Sequence, residues 1–376
     1  MRYRIPLHSP FTTAHGTMVT REGAIVEIST AEGITGIGEI APMPDFGGGN
    51  LTYALTALHQ SSIVNDLLSK GLYEAMDCLY AAVDSLPTST ICGLEIALLD
   101  ALGQAQGCSI SELLTQRSQS NAVHPHSNVS TQQPIAPRTH IPVNAVIGTS
   151  AINAAVNDAL VAVANGFGCL KLKLGMGVKA DLERVHAIRE AIGPTVHLRL
   201  DANEAWDFDQ AYTILTKCAP LDIQYVEQPL KASDLIGMHN LRQVVAIPIA
   251  ADEAIDDLAS ARRILAAQAA DVLILKPQLI GGLHVSRQII QEATKQGVHC
   301  VITSAIETGI GIAGILHLVA ASPELTLECG LATLHLLEDD LLIEDLPIHN
   351  GILTVPRGTG LGLHLDKQTL WKWRAY

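Results

Sequence analysis

The sequence holds no two cysteines in a CxxC arrangement. Its seven cysteines (Cys78, Cys92, Cys108, Cys169, Cys218, Cys300 and Cys329) are scattered and odd in number, which argues against both a disulfide framework and a zinc cluster and predicts reduced, mostly buried thiols. A long basic run is missing as well. Against 38 acidic residues stand 24 lysines and arginines, for a formal charge of −14, so the electrostatic footprint that attracts phosphate backbones or anionic lipid is lacking and neither nucleic acid nor membrane is an expected partner. The first residues carry Arg2 and Arg4 and then read IPLHSPFTTAHG. No apolar stretch there is long enough for a signal peptide or a membrane span, and a cytoplasmic location follows as the default. Charge is sparse at 16%, while 48% of residues are hydrophobic and 30 are glycine. That balance suits a globular α/β protein and is the reverse of a disordered chain.

At 376 residues, one large domain with a smaller accessory domain is the natural division. Residues 24 to 40, AIVEISTAEGITGIGEI, alternate apolar and polar positions about Ala31-Glu32-Gly33 and read as an antiparallel hairpin. The polar segment from His8 to Gly23 and the stretch PMPDFGGGN read as mobile loops on either side of it, able to close over a pocket. His15, Arg21 and Phe46 in these loops are substrate-contact candidates and equally solvent-facing candidates. Helical spacing in ICGLEIALLDALGQAQG completes an α+β capping domain over residues 1–116. Residues 117–140 carry almost no aliphatic content and read as a linker or insertion, with His124 and His126 as surface-loop residues. From Pro142 the pattern becomes short apolar runs separated by helical stretches: PVNAVIG, CLKLKLG, VHLRLDAN, IQYVEQP, IPIAADE, VLILKP, VHCVITS and LTLECG. Eight such runs predict parallel strands with right-handed crossovers, a (β/α)8-type TIM barrel over residues 141–340, although counting alone also permits a doubly wound sheet. The segment 341–376, with GILTVPRGTGLGLHLD, reads as a hairpin returning to the capping domain.

Polar residues gather where these runs end, the face on which barrel enzymes carry their active sites. Lys171 and Lys173 are two apart on one strand, so both ammonium groups face one side while Leu170, Leu172 and Leu174 face the other. Asp201, Glu227 and Asp252 end the third, fourth and fifth runs, at equivalent places on strands roughly 4.8 Å apart. Each acid alone could be a helix cap or a lysine's partner, but three in register predict a cage for a hard cation. Magnesium favours such an all-oxygen shell. Lys276 ends the sixth run, four strands round from Lys173 and so across the ring. This layout permits proton abstraction beside a carboxylate: the cation stabilises the enediolate, Lys173 takes the proton, and Lys171 together with the metal lowers the pKa of Lys173 from its free value near roughly 10.4.

The ordered motifs KLKLG, LDAN, VEQP, ADE, LKP and TSAIETGIG, together with GIGEIAPMP, EIALLDALG and GTGLGLHLD, resemble the muconate-lactonizing subgroup of the enolase superfamily. Enolase-superfamily sites pair a lysine or histidine base with magnesium that stabilises the enediolate. The resemblance implies a modified (β/α)7β barrel, magnesium (or manganese) held by Asp201, Glu227 and Asp252, catalytic Lys173 and Lys276, and a supporting shell of Asn203 and Glu253. Within the subgroup, GIGEIAPMPDF, TSAIETGIG and CGLATLHLL look most like the o-succinylbenzoate synthases, dehydratases of menaquinone and phylloquinone biosynthesis. That likeness implies a small-molecule carboxylate substrate, with its succinyl arm held by the turn around Ser304 and a backbone amide at Gly330. Dipeptide epimerases, a rival with the same acids and lysines, carry an Asp-x-Asp motif on the eighth strand, where this chain reads Gly330-Leu331-Ala332-Thr333. N-acylamino acid racemisation and muconate cycloisomerisation stay open, as does a Schiff-base aldolase with its imine on Lys276. An inactive binding or scaffold protein is a third class. A homo-oligomer is neither indicated nor excluded.

Overall fold

The computed structural model describes residues 1–13, 16–44, 48–120, 136–149 and 151–375. At the amino terminus, β1 (Arg2–Thr13), β2 (Gly16–Ser29) and β3 (Thr35–Ile40) form an antiparallel sheet in the order β1-β2-β3. The expected mobile segment from His8 to Gly23 is therefore mostly strand. Of its polar residues on β2, Thr17 is exposed, Thr20 and Glu22 are half-buried and Arg21 is buried, so polarity there belongs to a partly wetted sheet and does not mark a loop. The pairing of β1 with β2 slips between Pro6 and Phe11, next to a residue that has no N–H for a ladder. His15 and Phe46 lie outside the described residues.

The helix Thr88–Gln106 lies across this sheet, and its residues from Ser89 to Gly103 are all buried. Gly36 and Gly38 on β3 make this possible: a Cβ on either would collide with the carbonyl oxygens of Ala97 and Gly93. Close backbone approach thus explains the TGIG spacing. The helix ends at Gly107, whose φ of 69° supplies the left-handed cap.

The second domain is built on seven parallel strands: β5 (Ala145–Ile147), β6 (Cys169–Lys173), β7 (His197–Asp201), β8 (Ile223–Glu227), β9 (Ile249–Ala251), β10 (Val272–Leu275) and β11 (His299–Ile302), each beside its sequence neighbour. The eighth run makes only the isolated parallel bridges Val143↔Cys329 and Thr303↔Gly330. Those two bridges join β11 to the start of β5 and close the ring, as expected of a (β/α)7β barrel. Inside, Tyr225, Ala250, Val272, Ile274 and Val301 form one apolar cluster. Below it the fully buried Arg199 reaches Gln224 (2.6 Å), Asn144 (3.2 Å) and Glu328 (2.9 Å), with its guanidinium 4.8 Å from the Tyr225 ring centre. Because strand side chains alternate, the residues two positions beyond this floor, Glu227, Asp252 and Lys276, also point inward.

β13 (Ile352–Thr354) pairs with β12 (Ile348–His349) and with β4 (His140–Pro142), so the expected terminal hairpin is completed by the segment entering the barrel. Beyond it the chain does return to the capping domain. Leu361 N donates to Asp100 (2.8 Å), Arg4 N to Trp373 O (2.9 Å) and Ala375 N to Arg2 O (3.1 Å). Of the expected insertion, residues 121–135, including His124 and His126, lie outside the described residues; Arg138 is tied to the carbonyls of Val319, Ser322 and Leu325. All seven cysteines are free thiols, five of them buried. Among the described residues no helix is long and apolar enough to cross a membrane.

Candidate active site

Strand register assembles the site. Lys173 pairs with Asp201 across β6 and β7, and Asp201 pairs with Glu227 across β7 and β8, so these three side chains share one level of the barrel. Asp252 follows β9 directly. Its N–H, like that of Ala254, is held by Gln228 Oε1 at 3.0 and 3.4 Å. Gln228 is fully buried with a left-handed φ of 36°, a strained position that sits next to a functional residue.

Three lysines engage the acids. Lys171 Nζ lies 2.9 Å from both Asp201 Oδ2 and Glu227 Oε1. Lys173 Nζ is 2.6 Å from the same Asp201 oxygen and 2.8 Å from Asn203 Oδ1. On the far side, Lys276 Nζ bonds both oxygens of Asp252 at 2.5 and 2.6 Å. Asn203 passes the network on, donating from Nδ2 to Glu253 Oε1 at 2.8 Å. With β6 and β10 four places apart in a closed ring, Lys173 and Lys276 bracket the acids from opposite walls.

Four carboxyl groups thus face three lysine amines at a largely buried barrel mouth. Burial pushes Glu227 up to about 8, with Asp201 and Asp252 adding to the rise. Glu253 is likewise pushed up to about 7 by burial and by Asp252 and Asp201. Asp201 is buried too, but Lys171 and Lys173 overcome that penalty and hold it well below the usual carboxylate range. Burial opposes the charged form of Lys171 and Lys276; the surrounding carboxylates outweigh it and raise both. Among the described residues no three His, Cys, Asp or Glu side chains converge as a ready cage; Asp201, Glu227 and Asp252 are each engaged by a lysine instead. Glu227 Oε2 nonetheless remains buried without a hydrogen-bond partner. An orphan carboxylate oxygen amid surplus negative charge is what a divalent cation would satisfy, and an all-oxygen donor set suits magnesium. The residues present therefore fit that ion.

Ser304 and Gly330 meet where the barrel closes. Ser304 N donates to Gly330 O (3.0 Å), and Gly330 N to Ile302 O (2.9 Å). The Gly330 amide expected to hold a substrate arm is thus committed to the ladder, since the closing bridge needs that donor. What the position offers is its missing side chain: a Cβ on Gly330 would stand 2.7 Å from Thr303 Cγ2. The Ser304 hydroxyl lies 2.7 Å from that of Thr333.

Arg21 is neither a loop residue nor solvent-facing. It is 2% exposed and donates to the carbonyls of Ile306, Glu22, Pro42 and Ala41. Sequence reasoning also passed over Gln228, Gln278, Glu39 and Glu95, all buried. The available signal was a lone polar residue within an apolar run, as in GIGEI and CGLEIALL.

Residues 1–115 match the model of the mandelate racemase/muconate lactonizing enzyme N-terminal domain, and residues 154–369 match the model described as enolase C-terminal domain-like. The chain is 32% identical over 328 residues to a hydrophobic dipeptide epimerase of Enterococcus faecalis, covering 86% of each protein. It is 37% identical over 228 residues to an o-succinylbenzoate synthase of Thermobifida fusca, covering 60% of this chain and 69% of that one. The structure of a dipeptide epimerase from Enterococcus faecalis, complexed with Mg and the dipeptide L-Leu-L-Tyr, superposes with a TM-score of 0.84 at 29% identity, over 96% of this chain and 97% of the other.

Proposed function

The chain belongs to the mandelate racemase/muconate lactonizing enzyme family of the enolase superfamily, and we propose that within it the protein is an o-succinylbenzoate synthase. The reaction is loss of water from 2-succinyl-6-hydroxy-2,4-cyclohexadiene-1-carboxylate to give 2-succinylbenzoate. Neutral Lys173 takes the proton from the carbon bearing the carboxylate, and the electron pair left behind expels the 6-hydroxyl group as the ring becomes aromatic. The ammonium formed on Lys173 returns that proton to the departing hydroxyl, so the amine is regenerated and one water is released. Asp201 and Asn203 orient Lys173 from two directions. Lys276, across the ring, contributes fixed positive charge near the substrate carboxylate. A magnesium ion held by Asp201, Glu227 and Asp252 would supply Lewis-acid charge for the negative charge that builds on that carboxylate. Lys171 balances Asp201 and Glu227.

The observation that carries this choice is the acid content at the end of the eighth run. Between Leu327 and Leu337 the sole acid is Glu328, and it is turned to the barrel floor on Arg199 and His197. A substrate ammonium group would meet no carboxylate there, whereas a succinyl arm, which ends in a carboxylate of its own, needs none. The 37% identity to an o-succinylbenzoate synthase supports the same reading.

A second reading has its own support. Two lysines on opposite walls suit racemisation, and the epimerase likeness spans more of the chain. Acylated amino acids, which lack the ammonium charge, would be the substrates. The test is an assay of the cyclohexadiene substrate, following 2-succinylbenzoate, beside a panel of N-succinyl amino acids and dipeptides. Turnover of the first is expected; racemisation alone would overturn the dehydratase assignment.

A further inference from the structure

Lys276 stands on a turn that has little strength of its own. Pro277–Ile280 is a four-residue helix, too short to be stable in isolation. Its amides at Leu279 and Ile280 both return to Lys276 O, at 2.8 and 3.2 Å. Gly281 and Gly282 follow, with φ of 104° and 95°. The side chain of Lys276 is held by Asp252, but Asp252 is also a proposed metal ligand and cannot serve the lysine alone. The backbone under the amine needs another anchor.

That anchor comes from the capping domain. Gln278 is fully buried; its Nε2 donates to Glu39 O at 2.8 Å and its Oε1 accepts from Ala41 N at 3.1 Å. A carbonyl can only accept and an amide N–H can only donate, so these two partners fix which way the side chain points. The two groups flank Ile40 at the end of edge strand β3, so the Gln278 amide takes the place of a neighbouring strand's peptide. Glu95 fastens the next segment, accepting from Leu283 N (2.6 Å) and His284 N (2.9 Å). The same stretch of capping chain holds the seventh-strand turn. Ala41 O and Pro42 O accept from Arg21, whose Nε donates to Ile306 O, two residues beyond Ser304. The Glu39 carboxylate accepts from Tyr3, Thr308 and Gly311.

We infer that Gln278 is a positioning residue that sets Lys276 from the capping domain, through the segment Glu39–Pro42 at the end of β3. The inference rests on reading Lys276 as one of the two amines of the reaction. Misplacement by about 1 Å can cost on the order of a hundredfold in rate, so losing the bidentate amide should be visible. Gln278→Met keeps the volume and removes both hydrogen bonds. Gln278→Glu keeps the acceptor for Ala41 N and loses the donor to Glu39 O, and serves if the first variant does not fold.

The experiment reads amine reactivity apart from turnover: reductive methylation with labelled formaldehyde, followed per lysine by mass spectrometry, in native protein and variant. In the variant the methylation rate of Lys276 should rise at least fivefold while that of Lys173 stays within twofold, and kcat should fall at least tenfold with KM within threefold. An unchanged Lys276 rate would overturn the inference. So would equal acceleration at both lysines, which is general loosening, or a selective Lys276 change with native kcat. If the native protein turns over none of the proposed substrates and Lys276 still responds selectively, the reaction assignment fails and the positioning role stands.

Discussion

Lys171 donates to Glu227 Oε1 at 2.9 Å, while the second oxygen of Glu227, Oε2, lies buried with no partner. One acid is thus half balanced by a lysine and half left for something else. The ionic balance around this pair determines how the site should respond to metal and to protons.

Magnesium should stabilise the protein more as the pH rises. In the folded chain Glu227 is pushed up to about 8, above the usual value near roughly 4.3. A raised pKa contributes stability that is present below the unfolded value and lost as the pH climbs through the folded one. In chelator the melting temperature should therefore decline over that window, and saturating magnesium should offset the decline. At a hundred times Kd the ion contributes about 2.7 kcal/mol. In Glu227→Gln both the pH slope and the response to magnesium should largely vanish; differential scanning fluorimetry across pH 5 to 9 checks this.

Replacing Lys173 with alanine should abolish turnover and leave magnesium binding within a few fold of native by calorimetry. Its amine contacts Asp201 and Asn203 but fills no proposed ligand position. Residual activity above about 1% of native would remove Lys173 from the base role, since positioned acid–base groups contribute roughly a hundred- to ten-thousandfold.

The closing bridge offers a packing test. Gly330→Ala places a methyl 2.7 Å from Thr303 Cγ2, and overpacking of this kind costs about 1–3 kcal/mol. The variant should lose stability by that amount and kcat/KM by about tenfold. Thr303→Ser in the same chain removes the offending Cγ2 and should restore part of both, measured by thermal melts and initial rates.

His317 should make the fold acid-sensitive. It is fully buried with Nε2 3.1 Å from Leu361 O, and burial lowers it to about 4. Its stabilising effect is present above the unfolded value near roughly 6.5 and is lost as the pH falls through 4, because only the unfolded chain binds the proton in between. That window corresponds to roughly 3 kcal/mol. His317→Gln should flatten the loss, read from urea melts at pH 4 to 7.

The active-site ring was legible in the sequence because strand periodicity is strict: Lys173, Asp201, Glu227, Asp252 and Lys276 each end an apolar run, and equal positions on parallel strands must face one cavity. The capping sheet was less so. From His8 to Gly23 two partly wetted strands have the composition of a loop, and only pairing partners distinguish them. Arg21 was misread for the same reason, since its burial depends on carbonyls at Ala41, Pro42 and Ile306 that no local pattern reveals. The eighth run keeps its position while most of its ladder is gone. Glu39, Glu95 and Gln278 act across hundreds of residues of chain, beyond the reach of any local window.

The most direct measurement is the anomalous scattering of manganese in crystals of the native protein grown with that ion. A single peak in contact with the carboxylates of Asp201, Glu227 and Asp252, with the amines of Lys173 and Lys276 on opposite sides of it, is the predicted result. A peak elsewhere, or none at saturating manganese, would contradict the account.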